Sequence, residues 1–335
     1  MTFSLSPRLE ELFWKLCDGE KSASLAKDVL RLSDFYIGHH GARTPWQEKY
    51  AVRAYASYFL PLNIVRLTAA FAEVRRFLQP AQIDEIWDFG SGLGALHWLL
   101  EEQDWLKPRP LYCVEVDERA VEQHRGLMAH TRCRWQPDFN PKRKPGRNSL
   151  AVFSYSFLEM QDVLPPLEHF SHLLIVEPSF KDTGRALMQW RERWVQGGFT
   201  PLAPCTHSLA CPLLVHSQRD WCHHRMHYSA TPRFLQLEHH LPMKNRTLTY
   251  SYLLLSQQVE SPLWRGSVRV IGDTLNEKGK IRQLVCRGPE REFLAWLTRH
   301  GEPPFIPHGA LIPELGPVEL KSNEIRPERE LNWLE

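Results

Sequence analysis

The spacing of apolar residues changes near residue 83, where a helical pattern gives way to short apolar runs. Over residues 9–16, apolar residues recur three or four positions apart, which is the spacing of one helix face. Residues 50–77 continue this pattern, and Pro61 predicts a break between two amphipathic helices. We therefore predict a helical N-terminal region over residues 1–80.

Four short apolar runs follow and alternate with helical patterns. They occupy residues 85–89, 111–116, 150–155 and 173–178. Strands that alternate with helices form parallel sheets through right-handed crossover connections. The pattern therefore predicts an α/β fold with a Rossmann-like sheet over residues 81–200.

The remainder of the chain divides near residue 300. Residues 249–255 and 266–272 predict strands within a cysteine-rich region that spans residues 201–300. Prolines at positions 303, 304, 307, 313 and 317 interrupt regular structure beyond it. Residues 301–335 are therefore predicted to form an extended tail.

A glycine-rich sequence directly follows the first predicted strand and precedes a helix that should begin near Ala95. It reads Asp88-Phe89-Gly90-Ser91-Gly92-Leu93-Gly94. Small residues allow a tight turn close to a ligand, and the helix N-terminus offers unpaired N–H groups. Glu115 and Asp117 end the next strand, where a carboxylate can accept the ribose hydroxyls of a nucleoside cofactor.

This arrangement resembles S-adenosylmethionine-dependent methyltransferases more than dinucleotide dehydrogenases, and it has no phosphate-binding lysine. The alternative is a degenerate loop that serves only folding. The predicted cofactor-binding residues are Asp88, Gly90, Gly92, Gly94, Glu115 and Asp117.

Catalytic residues cannot be identified from the sequence. Methyltransferases that act on base amino groups carry an Asp/Asn-Pro-Pro-aromatic motif after the fourth strand, and this chain has residues 154–160, Ser-Tyr-Ser-Phe-Leu-Glu-Met, in its place. Glu159 is a candidate pocket residue or the start of a helix. Glu177 could face the methionine end of the cofactor or simply end its strand.

Four of the seven cysteines lie in the downstream region, at Cys205, Cys211, Cys222 and Cys286. Four thiolates suit a tetrahedral zinc ion or a 4Fe–4S cluster. Zinc stays open because histidines at 207, 216, 223, 224 and 227 could replace a thiolate. The long loop between ligands favours the wider cluster. Cys17, Cys113 and Cys133 are interpreted as small buried apolar residues.

Charge is distributed unevenly. The whole chain carries +2, whereas residues 201–291 contain twelve Lys and Arg against six Asp and Glu. A local cationic excess is typical of a phosphate-rich partner, although a solvated basic face would give the same count.

Neither a membrane-spanning run nor a signal peptide is evident, so we predict a cytoplasmic protein, or a mitochondrial one if a transit segment has been removed. A reducing compartment disfavours disulfides and favours metal binding by the cysteines. The sequence does not predict an oligomeric state.

The glycine loop, Val176-Glu177-Pro178 and the cysteine pattern together resemble the methyltransferase-like family of the mitochondrial small-ribosomal-subunit assembly factor and its bacterial relatives. The resemblance covers about residues 45–290. It implies a Rossmann-like methyltransferase fold, a 4Fe–4S cluster on the four cysteines, and association with the small ribosomal subunit or its RNA during maturation. Ten residues between Cys211 and Cys222, and His224 in place of an aromatic residue, depart from the family pattern.

Three functions are compatible with these features. The first is a ribosome maturation factor that binds small-subunit RNA and uses the cofactor pocket for binding or regulation. The second is an active S-adenosylmethionine-dependent rRNA methyltransferase. The third is a zinc or iron–sulfur redox sensor without RNA, and the basic excess around the cysteines counts against it.

Overall fold

The computed structural model describes residues 2–39, 42–106, 109–127, 133–140, 144–258, 266–302, 304–328 and 330–334. The chain forms two compact units. Unit 1 comprises Met1–Glu177 and Met226–Leu248, and unit 2 comprises Pro178–Arg225 and Thr249–Glu335. Within the described ranges, no helix is long and apolar enough to cross a membrane.

The α-helices are α1 Pro7–Trp14, α2 Ser22–Gly38, α3 Lys49–Ala54, α4 Leu60–Phe77, α5 Ala95–Glu102, α6 Glu118–Gly126, α7 Lys181–Gln196, α8 Pro212–His216 and α9 Pro232–His239. A π-helical segment spans Tyr55–Phe59, and short 3-10 helices span Lys15–Cys17, Pro80–Gln82, Asp104–Leu106, Leu167–His169 and Thr298–His300.

The strands are β1 Thr2–Phe3, β2 Glu85–Phe89, β3 Leu111–Val114, β4 Cys133–Gln136, β5 Ser149–Ser154, β6 His172–Glu177, β7 Thr200–Ala203, β8 His224–Tyr228, β9 Thr247–Ser256, β10 Val268–Glu277, β11 Lys280–Cys286, β12 Glu292–Leu297, β13 Leu311–Ile312, β14 Val318–Lys321 and β15 Glu324–Pro327.

Unit 1 contains five parallel strands in the order β4-β3-β2-β5-β6. Strand β2 is central, with Asp88 in register with Cys113 on one side and Val152 on the other. The chain proceeds outward from β2 in both directions, so a topological switch point lies beside the end of β2. Such points hold ligands at the carboxyl ends of parallel strands. The predicted α/β fold with a Rossmann-like sheet is confirmed.

The predicted break near Pro61 corresponds to the π-helical segment between α3 and α4, and the helical run continues through it over residues 49–77. Proline has no N–H to donate and normally disrupts a helix interior. Here it lies in the first turn of α4, directly after the π-helical segment, where the Leu60 N–H bonds to the Tyr55 carbonyl five residues back. The wider π turn accommodates the proline without ending the helix.

Unit 2 contains a six-stranded sheet in the order β13-β10-β11-β12-β15-β14. Its central hairpin pairs β10 with β11 from Arg269 opposite Cys286 to Glu277 opposite Lys280. Strand β7 also pairs antiparallel with β9 in this unit. Because Cys286 is the last residue of β11, this sheet positions one of the four downstream cysteines.

Residues 301–335 do not form the predicted extended tail. Strands β14 and β15 form an antiparallel pair, and β15 pairs with β12. Ile306, Ile312 and Ile325 are buried in the core of the six-stranded sheet. Prolines exclude a helix here, but at the ends of short strands they remove no essential ladder hydrogen bond.

Candidate cofactor and metal sites

The glycine loop turns immediately after β2. The N–H groups of Gly90 and Ser91 donate to the Val114 carbonyl, at 2.9 and 3.2 Å, and Gly94 N–H donates to Ser91 O at 2.7 Å. Gly90, Gly92 and Gly94 all have positive φ, between 49° and 80°. Glycine adopts such angles without the steric cost that other residues incur, so the loop conformation explains the glycine spacing.

Glu115 holds this loop from the end of β3. Its Oε2 accepts the Gly92 N–H at 2.8 Å, and its Oε1 accepts the Asp117 N–H at 3.0 Å. A carboxylate has about four acceptor positions, so Glu115 can bind further hydroxyl donors. Asp117 instead caps α6, where its Oδ1 accepts the Arg119 N–H at 2.9 Å. Glu115 is therefore the better placed of the two for a ribose.

Gly90 and Gly94 face protein side chains. A Cβ atom at position 90 would lie 2.5 Å from the Cβ of Ser156, and one at position 94 would lie 2.0 Å from Nε2 of His124. A Cβ at Gly92 would make only ordinary contact, 3.5 Å from Trp46. Among the three glycines, Gly92 thus has the most room for a ligand, whereas Gly94 makes room for His124.

Aromatic residues from the helical region cover the loop. Trp46 approaches Gly92, and its ring lies 4.9 Å from that of Tyr55 in the π-helical segment. Burial raises the pKa of Tyr55, and the nearby charges of Glu159, Glu115 and Asp88 raise it further. Neither aromatic residue is predicted from the sequence, in which a proline within a helical pattern, Pro61, is the available signal.

Four carboxyl groups gather at this edge of the sheet. Asp88 and Glu177 are buried, and burial raises both pKa values, that of Glu177 to about 8. Burial of its carboxyl and the charge of Glu115 raise the pKa of Glu159 to about 7, although the residue is exposed as a whole. Leu158 N–H donates to Glu177 Oε1 at 3.1 Å. Closely spaced carboxylates raise the free energy of the site unless a cation or protons neutralise them.

Tyr155 is the second residue of the segment 154–160, which lies where the amino-methyltransferase motif would be. It has φ of 62°, a region that bulky residues rarely adopt. Its ring lies 5.8 Å from the Arg66 guanidinium, and burial raises the pKa of its hydroxyl while the charge of Arg66 opposes that shift. Backbone strain of this kind occurs often at ligand-binding sites, so Tyr155 joins the candidate pocket.

The second candidate site, in unit 2, is a cavity of about 40 Å³ lined by Cys205, Cys211, Cys222 and Cys286. Cys205 follows β7, Cys211 caps α8, Cys222 precedes β8, and Cys286 ends β11. Apolar side chains, including those of Met188, Leu213 and Ile271, complete the lining. The structure thus brings together all four predicted metal ligands, and this donor set suits a thiophilic metal centre.

The four sulfur atoms line one cavity without forming a tight group. In the described chain, no three of them lie within 4.8 Å of one another. Burial raises the pKa values of Cys211, Cys222 and Cys286, that of Cys211 to about 11, and the other thiols of the group add to each shift. Bringing these sulfurs together as thiolates therefore requires a compensating positive charge.

Two buried arginines flank the cavity. Arg191 of α7 is 2% exposed and donates to the carbonyls of His207 and Leu209, at 2.5 and 2.7 Å. Burial alone would lower the pKa of Arg191, but the charges of Cys205 and Glu192 outweigh burial, so the pKa is raised overall. Arg269 of β10 is 0% exposed and donates to Gly309 O at 2.8 Å. Its charge opposes the burial that raises the pKa of Cys222.

The histidines near the cysteines are less well placed for a metal. His207 Nε2 lies 3.4 Å from Cys286 Sγ, and burial, with the charge of Arg191, lowers its pKa to about 4. The rings of His223 and His224 pack on Trp221 and Tyr252. His216 lies 3.6 Å from Glu290, and His227 belongs to unit 1. His207 is thus the histidine that contacts the cysteine group in the described chain.

Six of the twelve cationic residues of 201–291 form ion pairs in the fold, which leaves fewer of them free to meet a phosphate. Two of the acidic partners, Glu292 and Glu324, lie beyond residue 291, outside the range in which charge was counted. Arg265 lies outside the described residues. The ion pairs are Arg225 with Asp273, Arg246 with Glu238, Lys280 and Arg282 with Glu277 and Glu324, Arg287 with Glu292, and Arg291 with Asp220.

Solved structures similar to this chain include methyltransferases. A protein from Pyrococcus horikoshii, provisionally assigned as an RNA methyltransferase, shares 14% identity over 59% of this chain and 86% of its own, with a TM-score of 0.36. The plantazolicin methyltransferase shares 12% over 76% of this chain and 100% of its own, with a TM-score of 0.33. The methyltransferase domain of a bacterial Hen1 protein shares 11% over 58% and 99%, with a TM-score of 0.33.

No curated protein matches the sequence. The family model described as mitochondrial small ribosomal subunit Rsm22 matches residues 49–305, which is most of the chain and includes the glycine loop and all four downstream cysteines. The family predicted from the sequence motifs is thereby confirmed, and this chain belongs to the Rsm22 family.

Proposed function

We propose that this protein acts in maturation of the small ribosomal subunit, binds its RNA, and holds a 4Fe–4S cluster in unit 2 and S-adenosylmethionine in unit 1. The observation that carries the proposal is the meeting of Cys205, Cys211, Cys222 and Cys286 around one cavity. The family description supplies the ribosomal context.

The spacing of the sulfurs supports a cluster over zinc. A Zn–S bond of about 2.3 Å places the sulfurs of a tetrahedral site about 3.8 Å apart. No three of the four sulfurs are within even 4.8 Å of one another in the described chain. A cubane core holds its four cysteines farther apart than a single ion does, so it requires less contraction of the cavity.

Two buried arginines match the negative charge that a four-cysteine metal centre would carry. Four thiolates around a core of charge +2 leave two negative charges, and Arg191 and Arg269 provide two buried positive charges in the same unit. A buried ion is costly unless it is paired and hydrogen-bonded. These arginines would also match a four-thiolate zinc site, so the sulfur spacing, not the charge, separates the two metals.

The acidic pocket of unit 1 supports S-adenosylmethionine, which carries a sulfonium and an ammonium cation. Glu115 and the Gly92 backbone would hold the ribose end, and Glu159 and Glu177 would provide negative charge. When bound, this cofactor supplies an electrophilic methyl group. Trp46 and Tyr55 would cover the ligand and exclude water from it.

Three measurements test the proposal. The full chain purified without oxygen should show broad visible absorption, with iron and acid-labile sulfide in place of stoichiometric zinc. Cys205→Ser should abolish this absorption, whereas Cys17→Ser, which changes a buried cysteine in unit 1, should keep it. A colourless wild-type protein that contains one zinc ion would refute the cluster.

For the cofactor, calorimetry should detect binding of S-adenosylmethionine. Gly92→Val should remove this binding, because the valine side chain would fill the space left for the ligand and valine rarely adopts the positive φ of this position. For the partner, the protein should sediment with small ribosomal subunits and bind their RNA. Labelled methyl transfer to that RNA separates the maturation factor from the active methyltransferase. No binding to subunit or RNA would refute the ribosomal role.

A further inference from the structure

We propose a second metal site, in unit 1, in which His97, His124 and Cys133 bind a zinc-class divalent ion. One ligand atom from each of the three residues lies within 4.8 Å of the other two. This group stands apart from the four downstream cysteines, so the inference does not depend on the proposed function. From the sequence, Cys133 is interpreted as a small buried apolar residue.

The spacing of the two imidazoles matches zinc geometry. Nε2 of His124 lies 3.2 Å from Nδ1 of His97. With Zn–N bonds of about 2.0 to 2.1 Å, two nitrogens of a tetrahedral site lie about 3.3 Å apart. With a Zn–S bond of about 2.3 Å, the nitrogen-to-sulfur distance is about 3.6 Å, which falls within the observed limit.

The three residues come from separate elements and are withdrawn from water. His97 lies on α5, His124 on α6 and Cys133 at the start of β4, and their exposures are 1%, 0% and 7%. Two imidazoles and a thiol are poor ligands for calcium or magnesium and good ligands for zinc. A site that joins three elements would contribute its binding energy to folding.

A carboxylate stands behind one of the imidazoles. His97 Nε2 lies 3.7 Å from Glu101 Oε1, one helical turn further along α5. If His97 binds metal through Nδ1, its Nε2 carries the proton and faces this carboxylate. Metal-bound histidines are commonly oriented in this way, because a carboxylate fixes the tautomer and strengthens the ligand.

The proposed ion would also hold the glycine loop. His124 packs so closely under Gly94 that a Cβ there would lie 2.0 Å from its Nε2. Fixing His124 with a metal therefore fixes the support of the loop that Glu115 holds from the other side. The competing interpretation is an ordinary hydrogen bond between two neutral histidines, which does not involve the thiol.

The test uses the full chain in two forms, because the downstream cysteines also bind metals. One form carries serine at positions 205, 211, 222 and 286. The other is wild-type protein purified without oxygen, with its iron and sulfide content measured. Each is treated with chelator, then titrated with Co²⁺, whose absorption reports tetrahedral geometry and thiolate ligation. Zinc per chain is measured by elemental analysis.

We expect a single equivalent of cobalt in the serine form, with a thiolate-to-cobalt band. Cys133→Ser should remove the band and lower the affinity at least tenfold, and His124→Gln should do the same. Matched controls are Cys17→Ser and His172→Gln, which change a buried cysteine and a buried histidine elsewhere in unit 1.

Three results would overturn the site. They are no cobalt binding by the folded serine form, a band that survives Cys133→Ser, or equal loss in the two controls. If the serine form does not fold, the wild-type form decides. If the wild-type form binds more zinc or cobalt per chain than its Cys133→Ser variant does, the site is supported. If the two bind equal amounts, the site is refuted.

Discussion

Arg191 provides the sharpest test of the charge balance around the proposed metal centre of unit 2. In Arg191→Met, the carbonyls of His207 and Leu209 lose the buried donors that now lie 2.5 and 2.7 Å away. Each buried acceptor left without a donor costs about 1 to 3 kcal/mol. Leu209 is exposed and its carbonyl can turn to water, so the cost comes mainly from the His207 carbonyl. The free energy of unfolding of unit 2 should therefore fall by roughly 1 to 3 kcal/mol, and the proposed metal centre should lose one of its two buried counter-charges.

The assay compares iron and sulfide per chain after purification without oxygen, together with the urea midpoint of unfolding. Arg193→Met is the matched control, because Arg193 lies on the same helix but is exposed and stacks on Trp190. Arg191→Lys should be intermediate, since lysine keeps the charge and loses the planar donor arrangement. Equal iron content and equal midpoints in Arg191→Met and Arg193→Met would refute the reasoning.

Three further predictions concern unit 1 and its ligand. Gly94→Ala should destabilise the unit by about 2 to 5 kcal/mol from positive φ and overlap with His124, as urea unfolding would show, whereas Gly126→Ala, where a Cβ meets nothing within 4 Å, should be nearly neutral. Calorimetry should show S-adenosylmethionine binding strengthening as pH rises from about 6 to about 7.5, because Glu159 and Glu177, with pKa values of about 7 and 8, gain negative charge while most of the ligand's ammonium groups stay protonated. Glu177→Gln should flatten that dependence, and the uncharged sulfur of the demethylated cofactor should make its binding less sensitive to pH.

The Rossmann-like sheet could be predicted closely because its strands are buried on both faces and bounded by turn residues. Strand β2 spans the predicted residues 85–89, and the glycine loop follows it. The apolar run and the glycines that predict this strand and its loop all lie within ten residues of one another. By contrast, Trp46 reaches Gly92 from the helical region and packs on Tyr55, and no local spacing indicates this contact.

Charge and tertiary contact account for the other differences. A charged residue on an amphipathic helix is typical of a solvent-exposed face, yet Arg191 is buried because it bonds to backbone carbonyls of the cysteine-bearing loop. Cationic residues 201–291 have acidic partners beyond that range, such as Glu292 and Glu324. Cys133 was interpreted as apolar because sequence spacing shows that a residue is buried, but not which buried residues it meets.

The position of the fourth cysteine affects the order of events during synthesis. Cys205, Cys211 and Cys222 leave the ribosome together, whereas Cys286 follows after 63 intervening residues. At translation rates of about 5 to 20 residues per second, the delay is about 3 to 13 seconds. During this interval the nascent chain presents three thiols without the strand that completes the cavity. Insertion of the proposed four-cysteine centre must therefore wait until β11 has emerged and paired with β10.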